Sequence, residues 1–186
     1  MKRVLTLVLV LALCFTLTAC FGFGFGMDEP TKEVASGEPA EDVKGDKAND
    51  ADAQQKEETF GMNEAAVFDD LKFTATDLEE SEGSEYNKPE DGNVFVGVKF
   101  EIENISDEEH SISSVLLFNA YVDDVQCDDS FSADLAFDKT LDGELAPGKK
   151  MIGYYSLEVP KDWKKIELDV QSSWLSASSA RFLFEK

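Results

Sequence analysis

The sequence predicts an all-β fold, an antiparallel β-sandwich of about seven or eight strands over residues 60–186. Three observations carry this expectation. From Phe60 onward apolar residues recur with period two, and no stretch shows the three-to-four spacing of an amphipathic helix. Clusters of Gly, Pro, Asn and Asp interrupt the chain at sandwich-like intervals. The segments between strand candidates leave no room for helical crossovers, so neighbouring strands must run antiparallel.

Met1-Lys2-Arg3 is a short positive start, and residues 4–19 form an unbroken run of apolar residues and Thr. The run ends in Leu17-Thr18-Ala19-Cys20, small residues set before a thiol. A charged start, an apolar middle and small residues before a cut are the parts of a secretory signal. The apolar run falls short of the roughly 20 residues that a spanning helix needs. Leu-Thr-Ala-Cys is similar to the lipobox of bacterial lipoproteins, which implies diacylation (palmitate-type chains) of Cys20 and cleavage before it. Removing residues 1–19 takes away Lys2 and Arg3, so 15 bases face 39 acids, a charge of −24. Such a polyanion is repelled by nucleic acid and by anionic surfaces, which excludes generic binding to either. The expected location is the extracytoplasmic face of the cell membrane, with an unknown envelope protein or wall polymer as partner and no nucleic acid.

The Phe-Gly repeat of residues 21–26 has two open readings, rings dipping into the membrane interface or a spacer. From Asp28 to Glu58 there are 11 acids and 4 Lys with no aromatic residue, so residues 20–59 read as a lipidated N-terminus and disordered acidic tether. The 39 residues from Phe21 to Thr59 would span roughly 35 Å as a coil and at most about 130 Å extended.

Within the domain, residues 67–76 suggest a short strand, a kink and a second strand. Residues 93–104 are the clearest strand, with Val94, Val96, Val98, Phe100 and Ile102 facing one way and Phe95, Gly97, Lys99, Glu101 and Glu103 the other. Residues 114–122 are apolar on both faces and read as a central strand. Residues 126–137 read as a weaker one. Ala146-Pro147-Gly148 is a tight turn into a strand over 150–159. Residues 165–170 and 180–184 complete the set.

Residues 92–98, Gly-Asn-Val-Phe-Val-Gly-Val, closing at Ile102-Glu103-Asn104, resemble a recurrent strand of bacterial secreted immunoglobulin-like domains of unknown function. So do residues 141–150 and Val159-Pro160-Lys161. That family sometimes carries the misleading label telomeric repeat-binding factor and is similar to a mycobacterial secreted antigen fold. The resemblance covers roughly residues 60–186; it implies an immunoglobulin-like sandwich outside the cytoplasm and no accepted catalytic residues.

The chemistry-bearing residues are sparse. Cys14, Cys20 and Cys127 allow no disulfide framework. His110 is the sole histidine and reads as a solvated turn residue, since a general base needs a nucleophile held beside it. Asp123, Asp124, Asp128 and Asp129 are oxygen ligands of the kind calcium takes, without the spacing of a calcium loop. Tyr86 in a long acidic loop, Trp163 and Trp174, and the lysines Lys149, Lys150, Lys161, Lys164 and Lys165 form the candidate interaction surface. The leading expectation is a non-enzymatic binding or envelope-interaction lipoprotein without a cofactor. A calcium-dependent adhesive module and a carboxylate-based hydrolase are the alternatives.

Overall fold

The structure, a computed structural model, describes residues 30–34, 59–176 and 178–186. Its strands are β1 (Thr31–Val34), β2 (Thr59–Phe60), β3 (Glu64–Val67), β4 (Leu71–Ser81), β5 (Asn93–Asn104), β6 (His110–Ile112), β7 (Phe118–Val122), β8 (Val125–Cys127), β9 (Gly143–Leu145), β10 (Lys150–Pro160), β11 (Lys165–Val170) and β12 (Ala180–Glu185). Two single helical turns, α1 (Ser114–Leu117) and α2 (Phe131–Asp134), lie among them. One sheet has the order β1-β3-β4-β5-β10 and the other β2-β12-β11-β7-β8, with β6 and β9 as a small ribbon. Every strand pair is antiparallel except β2 with β12. The expected all-β sandwich is the observed one.

Alternation decides which faces meet. Val94, Val96, Val98, Phe100 and Ile102 of β5 are buried with Ile166, Leu168 and Val170 of β11 and Phe182 of β12. Phe100 is the hub, edge-on to Phe118 at 5.3 Å and to Phe182 at 5.2 Å. Phe118 in turn stacks on Tyr155 at 5.0 Å. Such ring pairs add to the stabilisation from apolar burial and fix the register of one sheet on the other.

Registers define two ends of the sandwich. Thr31, Val67, Lys72, Glu103 and Lys150 stand in line across the first sheet. Thr59, Arg181, Asp169 and Asn119 stand in line across the second. At the opposite end Lys186 Nζ reaches Glu80 Oε1 and Lys161 O, and Trp163 Nε1 donates to Glu80 Oε1 at 2.8 Å. Residues 30 and 59 therefore both enter the fold at one end, the proximal end.

Three expectations need correction, and one outer face is covered more than alternation alone implies. Residues 31–34, part of the stretch read as disordered tether, form β1; their backbone covers the edge of β3, and Lys32 bonds Glu64 at 2.7 Å and Thr59 O at 3.0 Å. Pairing satisfies the exposed edge of β3, a term that composition does not reveal. Residues 114–117 are a helical turn, with the strand starting only at Phe118. Residues 126–137 split into the end of β8 and α2, which Ser130 caps by accepting from Ala133 N at 3.3 Å. On β5, Phe95 and Gly97 are buried although they lie on the outer face. Residues 130–140 fold back over that face, and a Cβ on Gly97 would sit 2.8 Å from the Phe137 ring.

Candidate ligand-binding surfaces

The back-folded segment of residues 129–140 builds the first surface. Ser130 N donates to Ser156 O at 2.9 Å and Tyr154 N to Lys139 O at 2.7 Å, so the segment runs against the free edge of β10. Phe137 stacks on Tyr154 at 5.1 Å, and Tyr154 Oη donates to Glu79 at 2.6 Å. These contacts hold α2 so that Phe131 is 76% and Leu135 64% exposed. With Met151, Ile152 and Phe137 they line an open groove of about 660 Å³, rimmed by Asp134, Asp138 and Lys139. Large apolar side chains held out to solvent beside polar groups mark interaction sites.

Asp134 on this rim and Asp129, at the start of the same segment, both hold their protons to higher pH than an ordinary aspartate. Burial is the main cause for each; repulsion from Asp142 and Asp128 adds to it at Asp129, and from Asp129 and Asp142 at Asp134. The buried Ser156 hydroxyl faces Asp134 and offsets part of that rise. Raised folded values mean that the folded chain binds the extra protons. Stability from these two groups is fully present below the ordinary aspartate range and is lost as pH rises through the raised values. Glu64 and Glu80 act oppositely, held down by Lys32 and Lys186, and their contribution is lost as pH falls through the lowered values. Asp134→Asn is expected to stabilise the domain at pH 7 by under about 1 kcal/mol, since solvent screens a part-exposed carboxylate. Melts at pH 7 and pH 4 check this, because the gain must shrink at the lower pH.

A second groove, about 510 Å³, lies at the distal end between the sheets and is lined by Met62, Leu78, Glu80, Trp163 and residues 183–186. Trp163 is only 3% exposed, bonded to Glu80 and covered by Lys186 Nζ at 5.0 Å, so it supports this wall and offers little contact surface. Tyr86 and Trp174 are exposed, at opposite ends of the fold from one another's strands, and do not converge. The expected lysine patch is also divided. Lys149 and Lys150 precede β10 or start it, whereas Lys161, Lys164 and Lys165 follow it, roughly 33 Å away along the strand. Lys150 pairs with Glu101, Lys161 with Glu82, and Lys165 with Asp124, which leaves little net positive field.

The four acids proposed for calcium are likewise separated. Asp123 and Asp124 are the two turn residues between β7 and β8, with φ of 49° and 69°. The Asp123 carboxylate accepts from Lys164 N and Lys165 N at 3.0 and 2.9 Å, and Asp124 accepts from Lys165 Nζ at 2.6 Å. Their oxygens bind the next loop, while Asp128 and Asp129 lie beyond the other end of β8. No cluster of three or more acidic, His or Cys residues suited to a metal is present among the described residues. Cys127 is half-buried, its thiol pushed up by burial, the opposite of an activated nucleophile. Cys20 and the Phe-Gly repeat lie outside the described residues.

His110 has partners that its sequence context concealed. Its Nε2 lies 3.0 Å from Ser106 Oγ and its Nδ1 3.5 Å from Asp70 Oδ2. The order hydroxyl, imidazole, carboxylate is that of a nucleophilic relay. The Ser106 hydroxyl is nevertheless committed to its own turn, with Asn104 Oδ1 at 2.9 Å, Glu108 O at 3.2 Å and Glu108 N at 3.2 Å. Asn104 Oδ1 and Glu108 O compete with His110 Nε2 for its single proton, and Glu108 N–H occupies one of its lone pairs, so the hydroxyl is held by its own turn and not aimed at a substrate. The group closes the 105–109 turn onto Asp70.

The molecule is thus a two-sheet antiparallel sandwich whose distinctive surface is an apolar groove at one sheet edge. A family described as a domain of unknown function, DUF4352, matches residues 60–180, and the chain belongs to that family. No curated protein matches the chain. A candidate lipoprotein of Bacillus subtilis has a similar fold, with 19% identity, a TM-score of 0.51 and 63% of this chain covered. This chain spans only 37% of that protein. A conserved hypothetical protein of Bacillus anthracis aligns more loosely, at 19% identity and a TM-score of 0.48, covering 69% of this chain and 99% of that one. An uncharacterised β-sandwich protein of Clostridium difficile gives 13% identity and a TM-score of 0.45, covering 72% and 99%. No helix among the described residues is long and apolar enough to cross a membrane.

Proposed function

We propose that the chain is a lipid-anchored extracytoplasmic protein whose sandwich binds a partner and catalyses nothing. The observation that carries the binding reading is the α2 groove, where Phe131, Leu135 and Ile152 are held exposed beside carboxylates. That lining suits an apolar partner segment carrying a basic group. The anchor reading rests on the Leu17-Thr18-Ala19-Cys20 motif after a charged and apolar start, and the likeness to a candidate lipoprotein supports it.

Photo-crosslinking tests the groove. A benzophenone amino acid at position 131 of the anchored chain in its native envelope is expected to give a discrete adduct. The same probe at Asp162, exposed at the distal end, serves as the control. Equal adducts at both positions would contradict the groove. The non-catalytic reading is tested separately with ester and amide substrates. No turnover that depends on Ser106 or His110 is expected, and turnover abolished by Ser106→Ala would overturn it.

A further inference from the structure

Residues 111–122 and 170–180 hold no Asp, Glu, Lys or Arg, although such residues make up 30% of the chain. The fold brings these two neutral stretches together. Phe118 pairs with Val170 at the start of β7 and the end of β11, and Gln171 N donates to Leu117 O at 2.9 Å. Beyond this junction Val115 and Leu116 on α1, and Trp174 and Leu175 in the following loop, project outward; Trp174 is 68% and Leu175 73% exposed. Leu117 and Ser114 are the buried residues of this turn, so the helical turn is what sends Val115 and Leu116 out. Apart from Ala177, the remainder of the loop is Ser and Gln, and its serines bond one another and the backbone, as Ser176 Oγ does with Ser178 O at 3.1 Å. Four apolar side chains stand among hydroxyls, and the carboxylate bonded to this turn, Asp142, is taken up by Ser114 N and Oγ at 3.0 and 3.2 Å, so the tip suits an apolar occupant that carries no strong charge.

The chain path says which occupant. Residue 30 enters β1 at the proximal end, the end that carries this tip. Because β1 is fixed to the sheet, the leash between Cys20 and Pro30 is the nine residues 21–29, an extended reach of at most about 35 Å. The 39-residue tether expected from composition would have let the domain wander; this leash holds the proximal end beside whatever bears Cys20. Trp favours the boundary between acyl chains and headgroups, where its ring is buried and its N–H stays wet.

We propose that the tip of Val115, Leu116, Trp174 and Leu175 seats in the interfacial layer of a lipid bilayer. This rests on the reading of Cys20 as the anchor. The acidic turn of Asp107, Glu108 and Glu109 belongs to the first sheet's side of the same end, so the domain leans onto its second sheet and prefers zwitterionic to anionic lipid.

The test uses the full chain, expressed in a host that processes lipoproteins and reconstituted in phosphatidylcholine vesicles with brominated acyl chains. Emission is compared with that of Trp174→Phe, so that the difference belongs to Trp174; Trp163 is buried at the distal end. Mass spectrometry of the same sample reads the state of Cys20. The expected result is a lipidated Cys20 with a blue-shifted, strongly quenched Trp174, and loss of that quenching in Val115→Ser/Leu116→Ser/Leu175→Ser, which keeps the reporter. A lipidated Cys20 with an unquenched, water-exposed Trp174 overturns the tip and leaves the anchor. An unmodified Cys20 with a quenched Trp174 does the reverse. Quenching that persists in the triple variant, or shielding of Trp174 seen only in native envelopes and never in pure lipid, also overturns the proposal, the latter in favour of a protein partner.

Discussion

Asn104→Ala is expected to cost the domain about 2–4 kcal/mol, the largest loss from any single polar side chain in this fold. Asn104 is fully buried at the end of β5. Its Nδ2 donates to Glu108 O at 2.7 Å and to Leu145 O at 2.8 Å, and its Oδ1 accepts from Ser106 N at 3.0 Å and Ser106 Oγ at 2.9 Å. One amide therefore ties β5 to the 105–109 turn and to β9. Alanine leaves the Leu145 carbonyl orphaned in the interior and frees the Ser106 hydroxyl from its turn. Urea unfolding should show the loss, with a fall in melting temperature of roughly 10 °C. Asn104→Asp keeps the acceptors and loses both donors, so it should not rescue stability. A loss below about 1 kcal/mol for the alanine variant would contradict the assignment, because that is the worth of an ordinary solvent-shared hydrogen bond.

Gly153→Ala is the second large effect, expected at about 1–3 kcal/mol. A Cβ at this position of β10 would lie 2.5 Å from Thr140 O and 3.0 Å from Lys139 O. Both are backbone atoms, so no rotamer change relieves the clash. The crossing segment must lift, which breaks the 2.7 Å bond from Tyr154 N to Lys139 O and withdraws Phe137 from Tyr154. The groove beside α2 loses its floor in the same step. The variant should therefore melt lower and lose the crosslink at position 131, while the distal control at Asp162 stays unchanged. A variant with wild-type stability and an intact crosslink would show that residues 139–140 do not pack where the structure has them.

Both residues illustrate what the sequence could and could not disclose. The inward face of β5 was legible because period-two alternation is a local property of Val94 to Ile102. The sandwich followed from several such strands with no helical stripe. The outer burial of Phe95 and Gly97 was not legible, since it depends on Phe137 returning from forty residues downstream. The strand β1 was hidden for a similar reason. Thr31–Val34 has no hydrophobic run of its own, and its order comes from the open edge of β3 and from Lys32 meeting Glu64.

The candidate surfaces divide along the same line. Trp163 and Trp174 were candidates alike for a contact surface; Trp174 is exposed, whereas Trp163 is part of the buried wall, and residue type alone cannot separate the two roles. The lysines appeared as a patch because they are close in sequence; β10 is long enough to carry them to opposite ends. The Asp123-Asp124 pair looked like ligand material, yet residues with positive φ between two strands are turn formers, and that signal was readable. Groove residues Phe131 and Leu135 were assigned to a strand face. The capping Ser130 ahead of them was the local cue that a helical turn begins there.

Position at a membrane, set by Cys20 and a short leash, is what we propose this sandwich is built around. Mass spectrometry of the N-terminal peptide from the native envelope tests it most directly. The predicted result is a peptide that begins at Cys20 and carries the mass of a diacylglyceryl group on its thiol. A peptide that retains residues 1–19 with an unmodified Cys20 thiol would contradict it.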